Sequence, residues 1–131
     1  MELRVLSLTY TRLPALPFNI GKLVNLNILQ VDLCCLEELP ESITQLTNLT
    51  QLLASDCKFA SLSANISDMH ELEVVTFLTN GDIMVIPPSF LSLTRLRKLH
   101  LPYRYCLVTP PGFNEYVAAL QASGCEYLQH S

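Results

Sequence analysis

Three histidines and five cysteines are the side chains of this chain best suited to nucleophilic or metal chemistry. A cysteine nucleophile needs a histidine base within hydrogen-bond reach, and a zinc site needs several ligands at short spacings. His70, His100 and His130 stand thirty residues apart. Cys34, Cys35, Cys57, Cys106 and Cys125 form no CxxC and no Cys/His group at ligand spacing. Four glycines build no phosphate-cradling loop, and the acidic pair Glu37-Glu38 reads as solvated loop charge. Two N-x-S/T sequons, Asn48-Leu49-Thr50 and Asn65-Ile66-Ser67, would matter only on a secretory route. No catalytic residue, metal ligand set or cofactor is therefore expected, and the chain reads as a non-enzyme.

The elements that carry these side chains are set by a ladder of apolar residues. Leu3, Leu26, Leu49, Leu72 and Leu96 recur about every 23 residues. Each is followed three positions on by Leu6, Leu29, Leu52, Val75 or Leu99, and then by Leu8, Val31, Ala54, Phe77 or Leu101. Further columns hold Leu16, Leu39, Leu62 and Ile86, then Pro17, Pro40, Ser63, Pro87 and Pro110, then Ile20, Ile43, Ile66, Phe90 and Phe113. A period of this length predicts one strand and one return segment per unit, with each unit stacked on the next. Such a unit buries its apolar side chains against neighbours, so an isolated one should not fold.

The segments LRVLSLTYTRLPALPFNIGKLVN (3 to 25) and LNILQVDLCCLEELPESITQLTN (26 to 48) resemble leucine-rich repeats of the LxxLxLxxxxLxxLPxxIxxLxN type. That form is similar to the repeats of plant immune receptors and of intracellular scaffold and signalling proteins. The resemblance implies an α/β solenoid: a short curved array of about five repeats, with a parallel β-sheet on the concave face and short helical or 3-10 segments on the convex face. One domain over 1–131 is expected, with repeats at about 3–25, 26–48, 49–71, 72–95 and 96–116. A capping helix at about 113–122, stopped by Ser123-Gly124, and a tail would follow. The column Thr11, Cys34, Cys57, Asn80 is read through the same resemblance as an internal hydrogen-bonding ladder. Cys106 takes a leucine column as a small hydrophobe.

Half of the 131 residues are hydrophobic, enough for a continuous core, and the outward strand positions carry aliphatics and small hydroxyls with few charges, which suits a protein or peptide better than the phosphate backbone of a nucleic acid. No window reaches 18 uninterrupted apolar residues, so no membrane insertion is expected. Lacking cysteine-rich caps and an apolar leader, the chain is expected to be cytoplasmic. Charge is uneven along the array. Nine acids between Asp32 and Asp82 face only Lys58, whereas Arg95, Arg97, Lys98 and Arg104 cluster near His100.

Strand alternation turns the leucines inward and the intervening residues outward. The outward set is Val5, Ser7, Thr9; Ile28, Gln30, Asp32; Gln51, Leu53, Ser55; Val74, Thr76, Leu78; and Lys98, His100, Pro102, bordered by Tyr10, Asp56 and Tyr103. Aliphatics aligned with small hydroxyls suit a protein or peptide partner, so a protein-binding role through this face is expected. Two rivals attach the same array to other machinery: a ligand-sensing segment of a plant-type immune receptor in innate immunity, or a substrate-recruiting array of a ligase or kinase. Asn80-Gly81-Asp82 inserts one residue in the fourth repeat, and Gly81 would permit a left-handed turn there. No polar cap precedes Leu3, Leu6 and Leu8, which reads first as truncation of a longer array. It reads otherwise as a first repeat that packs against a partner or a second copy, with self-association or aggregation of the isolated chain through that repeat.

Overall fold

The computed structural model describes residues 2–8, 15–32, 36–55, 60–77, 84–103 and 106–129. Short parallel strands β1 (Val5–Ser7), β2 (Ile28–Gln30), β3 (Gln51–Leu53) and β4 (Val74–Thr76) recur along the chain. The two-residue β5 (Met84–Val85) follows, then β6 (Lys98–Leu101), β7 (Leu107–Val108), α1 (Phe113–Ala122) and β8 (Glu126–Gln129). The main sheet has six strands in the order β1-β2-β3-β4-β6-β8. This is the expected solenoid, with a parallel sheet on one flank and short 3-10 turns returning the chain.

Each turn is made the same way. Pro17, Pro40 and Pro87 hold the backbone extended just before the 3-10 segments Phe18–Lys22, Glu41–Gln45 and Pro88–Ser92, and a fourth turn spans Ile66–Asp68. Proline's fixed φ suits that entry and its missing N–H costs nothing there. The carbonyls of Pro17, Pro40, Ser63 and Pro87 accept the N–H of Ile20, Ile43, Ile66 and Phe90 at 3.0–3.1 Å. In the fifth unit Phe113 N–H meets the Pro110 carbonyl at 3.2 Å, but the turn winds on into α1 behind Gly112, whose φ is 86°. That conformation favours glycine.

The core is the ladder itself. Leu26, Leu29, Leu49, Leu52, Val75 and Leu99 are fully buried, each between the equivalent residues of its neighbours. Burial of each such side chain contributes about 1.5–3 kcal/mol. In the first unit Leu3, Leu6, Leu8 and Leu23 are only partly buried. Stacking is close on the turn side: a Cβ added to Gly21 would lie 2.5 Å from the Ser42 carbonyl oxygen and collide with the Gln45 side chain.

Three features depart from the sequence reading. The segment read as a tail forms β8, which pairs in parallel with β6 as a sixth strand, Tyr127 beside Leu99. Behind the sheet β5 pairs with β7, and Ser61 bridges Val85. Pro102, read as facing outward, is buried just past the end of β6. Its ring cannot continue the ladder as a donor.

Candidate functional site

Strand register arranges the outward side chains in two rows. The first runs Val5, Ile28, Gln51, Val74, Lys98 and Glu126; the second runs Ser7, Gln30, Leu53, Thr76, His100 and Leu128. Neighbours in a row sit on adjacent hydrogen-bonded strands, about 4.8 Å apart. Val5 is 54% exposed and Leu128 49% exposed, whereas Ile28, Leu53 and Val74 are half-buried. Asp32 and Ser55 extend the face beyond β2 and β3, and Tyr103 lies exposed beyond β6. Of the expected face residues, Thr9, Tyr10, Asp56 and Leu78 lie outside the described residues, as do Cys34, Cys35, Cys57, Arg104, His130 and the Asn80-Gly81-Asp82 insertion.

The polar members are already oriented by one another. Ser7 Oγ donates to Gln30 Oε1 at 3.1 Å, and Gln30 Nε2 donates to Asp32 Oδ2 at 3.1 Å. Asp32 Oδ1 in turn accepts the Ser55 backbone N–H at 2.7 Å. This chain crosses three repeats and holds the Gln30 carboxamide in one orientation, with the aliphatics Ile28 and Leu53 on either side. Bonds to a charged carboxylate are the stronger kind.

At the other end of the face β6 and β8 meet through charge. His100 Nε2 lies 2.8 Å from Glu126 Oε2, and Lys98 Nζ lies 3.9 Å from the same oxygen. The hydrogen bond from His100, and then the Lys98 charge, hold the Glu126 carboxyl below its ordinary value. Behind the sheet, burial pushes the Cys125 thiol up, with the nearby Glu126 charge adding to it. Glu126 and Leu128 were not foreseen as face residues. The signal for them was the alternation in Cys125-Glu126-Tyr127-Leu128, which is offset from the repeat period by α1.

The basic cluster is not the free patch that the charge distribution suggests. Arg95 pairs with Glu71 at 2.9 Å and Arg97 with Glu73 at 2.8 Å, each across one repeat. These exposed pairs link the third unit to the fourth and the fourth to the fifth, and contribute little to stability. Along the same rim Asn27 Nδ2 donates to the Asn48 carbonyl at 3.2 Å, and Asn48 Nδ2 donates to the Val24 carbonyl at 3.0 Å. The second sequon asparagine, Asn65, donates to Glu41 Oε1 at 2.7 Å. Both sequon carboxamides are thus engaged within the chain.

Among the described residues no three His, Cys, Asp or Glu side chains converge as a metal-binding group. No helix among them is long and apolar enough to cross a membrane.

A family model described as a leucine-rich repeat region matches residues 1–121. No curated protein sequence matches the chain. Among solved structures, a leucine-rich repeat protein of Leptospira interrogans is similar, with a TM-score of 0.71 and 25% sequence identity. The alignment covers 93% of this chain and 30% of that one, so the chain spans under a third of that protein's length.

Proposed function

Since the chain belongs to the leucine-rich repeat family, whose members are generally protein-interaction modules, we propose that it is a non-enzymatic recognition module. It binds an extended peptide or a protein surface along the six-stranded sheet. One observation carries this reading. The Ser7–Gln30–Asp32–Ser55 hydrogen-bond chain presets polar groups between the aliphatics Val5, Ile28, Leu53 and Val74. Preset polar groups beside apolar contact area lower the ordering cost of binding. A cytosolic setting belongs to the reading, supported by Cys125, which is buried as a thiol.

Selection from a random-peptide display library on the immobilised chain tests it. Selected peptides should bind the native chain and bind at least tenfold more weakly to Ile28→Lys and Val74→Lys, each a substitution at a half-buried site within the face. Peptides that bind these variants unchanged would place recognition elsewhere.

A further inference from the structure

We infer that the sheet rim beside the second and third units is an arginine subsite, taking one guanidinium of the peptide bound along the adjoining face, a role that rests on the peptide-binding reading of that face.

The residue that leads into each strand, Arg4, Asn27, Thr50, Glu73 or Arg97, immediately precedes a member of the outward row Val5, Ile28, Gln51, Val74 and Lys98. A long side chain of a peptide on the face reaches this rim by passing one residue. The rim is open along the array: Glu71 and Glu73, with units stacked on both sides, keep 35% and 38% of their side chains exposed. Beside the second and third units it sinks into a recess of about 390 Å³, lined by Arg4, Asn25, Asn27, Asn48, Thr50 and Glu71.

Main-chain carbonyls decide which atoms are left to this recess. A carbonyl oxygen has no proton to give, so only the nitrogen of a carboxamide can approach it. Asn27 Nδ2 goes to the Asn48 carbonyl at 3.2 Å, and Asn48 Nδ2 goes to the Val24 carbonyl at 3.0 Å. Thr50 Oγ1 donates its proton to the Asn27 carbonyl at 3.1 Å. With these donors turned to the backbone, Asn27, Asn48 and Thr50 offer the recess oxygen acceptors. Glu71 adds a carboxylate that spends Oε2 on Arg95 at 2.9 Å and meets His70 at Oε1 no closer than 3.6 Å.

A row of acceptors is matched by a donor-rich cation, and the chain supplies such groups along the rest of the same rim. Arg4 Nη1 donates to Asn27 Oδ1 at 3.4 Å, Arg95 Nη1 to Glu71 Oε2 at 2.9 Å and Arg97 Nε to Glu73 Oε1 at 2.8 Å. Asn25, Asn27, Asn48 and Thr50 carry no charge, so the second and third units bring no cation of their own to it. Arg4, at one end of the recess, is answered by Glu2 at 3.7 Å. A guanidinium suits the site better than an ammonium, because its five donors form a planar fork and the acceptors are spread over neighbouring units about 4.8 Å apart. Nine acids between Asp32 and Asp82, against Lys58 alone, draw a cation to this part of the array.

Titration of the 131-residue chain with N-acetyl-arginine amide, followed by NMR through the side-chain amides of Asn25, Asn27 and Asn48, tests the recess by itself. Saturable shifts at these three are expected, at least threefold weaker with the citrulline analogue, which keeps the shape without the charge. Asn25 holds none of the bonds above, so Asn25→Lys should abolish the shifts with unchanged circular dichroism, and Asn25→Asp should tighten binding at least twofold. Ile28→Lys should leave them as they are. No shifts, equal shifts with citrulline, or indifference to both Asn25 variants overturns the subsite. Peptides from the display selection should in turn carry a recurring arginine whose replacement by citrulline costs at least tenfold on the native chain and under twofold on Asn25→Lys. Peptides that need Ile28 and Val74 but carry no such arginine overturn the subsite and leave the face reading standing. Peptides indifferent to Ile28→Lys and Val74→Lys overturn the face reading, while a response of Asn25, Asn27 and Asn48 to the arginine probe still supports the recess.

Discussion

His100 on β6 and Glu126 on β8 are joined at 2.8 Å across the last strand pair of the sheet, 26 residues apart in sequence. The bond ties the strand that follows α1 to the repeat array from the concave side, while Tyr127 ties it to Leu99 from the core side. Glu126 is held below its ordinary value, so its contribution is present above the unfolded carboxylate value near about 4.3 and is lost as pH falls through the lower folded value. Glu126→Gln should therefore lower the Tm at pH 7, with the gap to the native chain closing at pH 3. Paired thermal melts check this, and an equal gap at both pH values would count against the bond.

Gly21→Ala should destabilise the chain by about 1–3 kcal/mol, because the added methyl meets the Ser42 carbonyl oxygen and the Gln45 side chain of the next turn. Guanidinium titration measures the loss. An unchanged midpoint would mean that the first two turns stack less closely than described.

Leu52→Ala in the fully buried column should cost about 2–5 kcal/mol through the cavity it leaves. Leu6→Ala, in the same column but half-buried, should cost clearly less in dilute monomeric solution. The ordering of the two midpoints is the test.

Tyr116 Oη donates to the buried Leu93 carbonyl at 2.7 Å, and its ring packs edge-on against Phe90. Tyr116→Phe should cost about 1–3 kcal/mol by leaving that carbonyl unsatisfied. Burial, with Cys125 adding to it, pushes the phenol above its ordinary value. The neutral form thus stabilises the fold fully below the unfolded value of about 10, and this is lost as pH rises further. Melts between pH 8 and 11 should show a smaller alkaline decline in Tyr116→Phe than in the native chain.

Ser89 Oγ is buried with no hydrogen-bond partner among the described residues. Ser89→Ala should accordingly be neutral or slightly stabilising, by no more than about 1 kcal/mol, in the same titration.

The main sheet was legible because stacking forces one apolar side chain into the same place in each unit, and the columns through Leu29, Leu52, Val75 and Leu99 record that demand. β8 was not legible in the same way. The step from Leu99 to Tyr127 is 28 residues, whereas that from Val75 to Leu99 is 24, because the last turn has become a ten-residue helix. β5 and β7 are two residues each, too short for alternation to register. The alternation rule placed the face residues, but the Ser7–Gln30–Asp32 chain and the His100–Glu126 bond arise from side-chain reach between units, which no spacing within a unit encodes.

The small β5–β7 sheet has a consequence for the shape that a partner must have. Hydrogen-bonded strands stand about 4.8 Å apart wherever they occur, so units bridged by strands on both flanks rise equally front and back. A helix on the rear flank, about 10 Å across, would instead act as a wedge and close the front into an arc. From Ser61 through Val85 to Val108 that wedge is absent among the described residues and returns only with α1. The stretch of face bearing Leu53, Val74 and His100 is accordingly backed in part by strands at the same spacing as its own, which limits how sharply the stack can bend toward a bound ligand there.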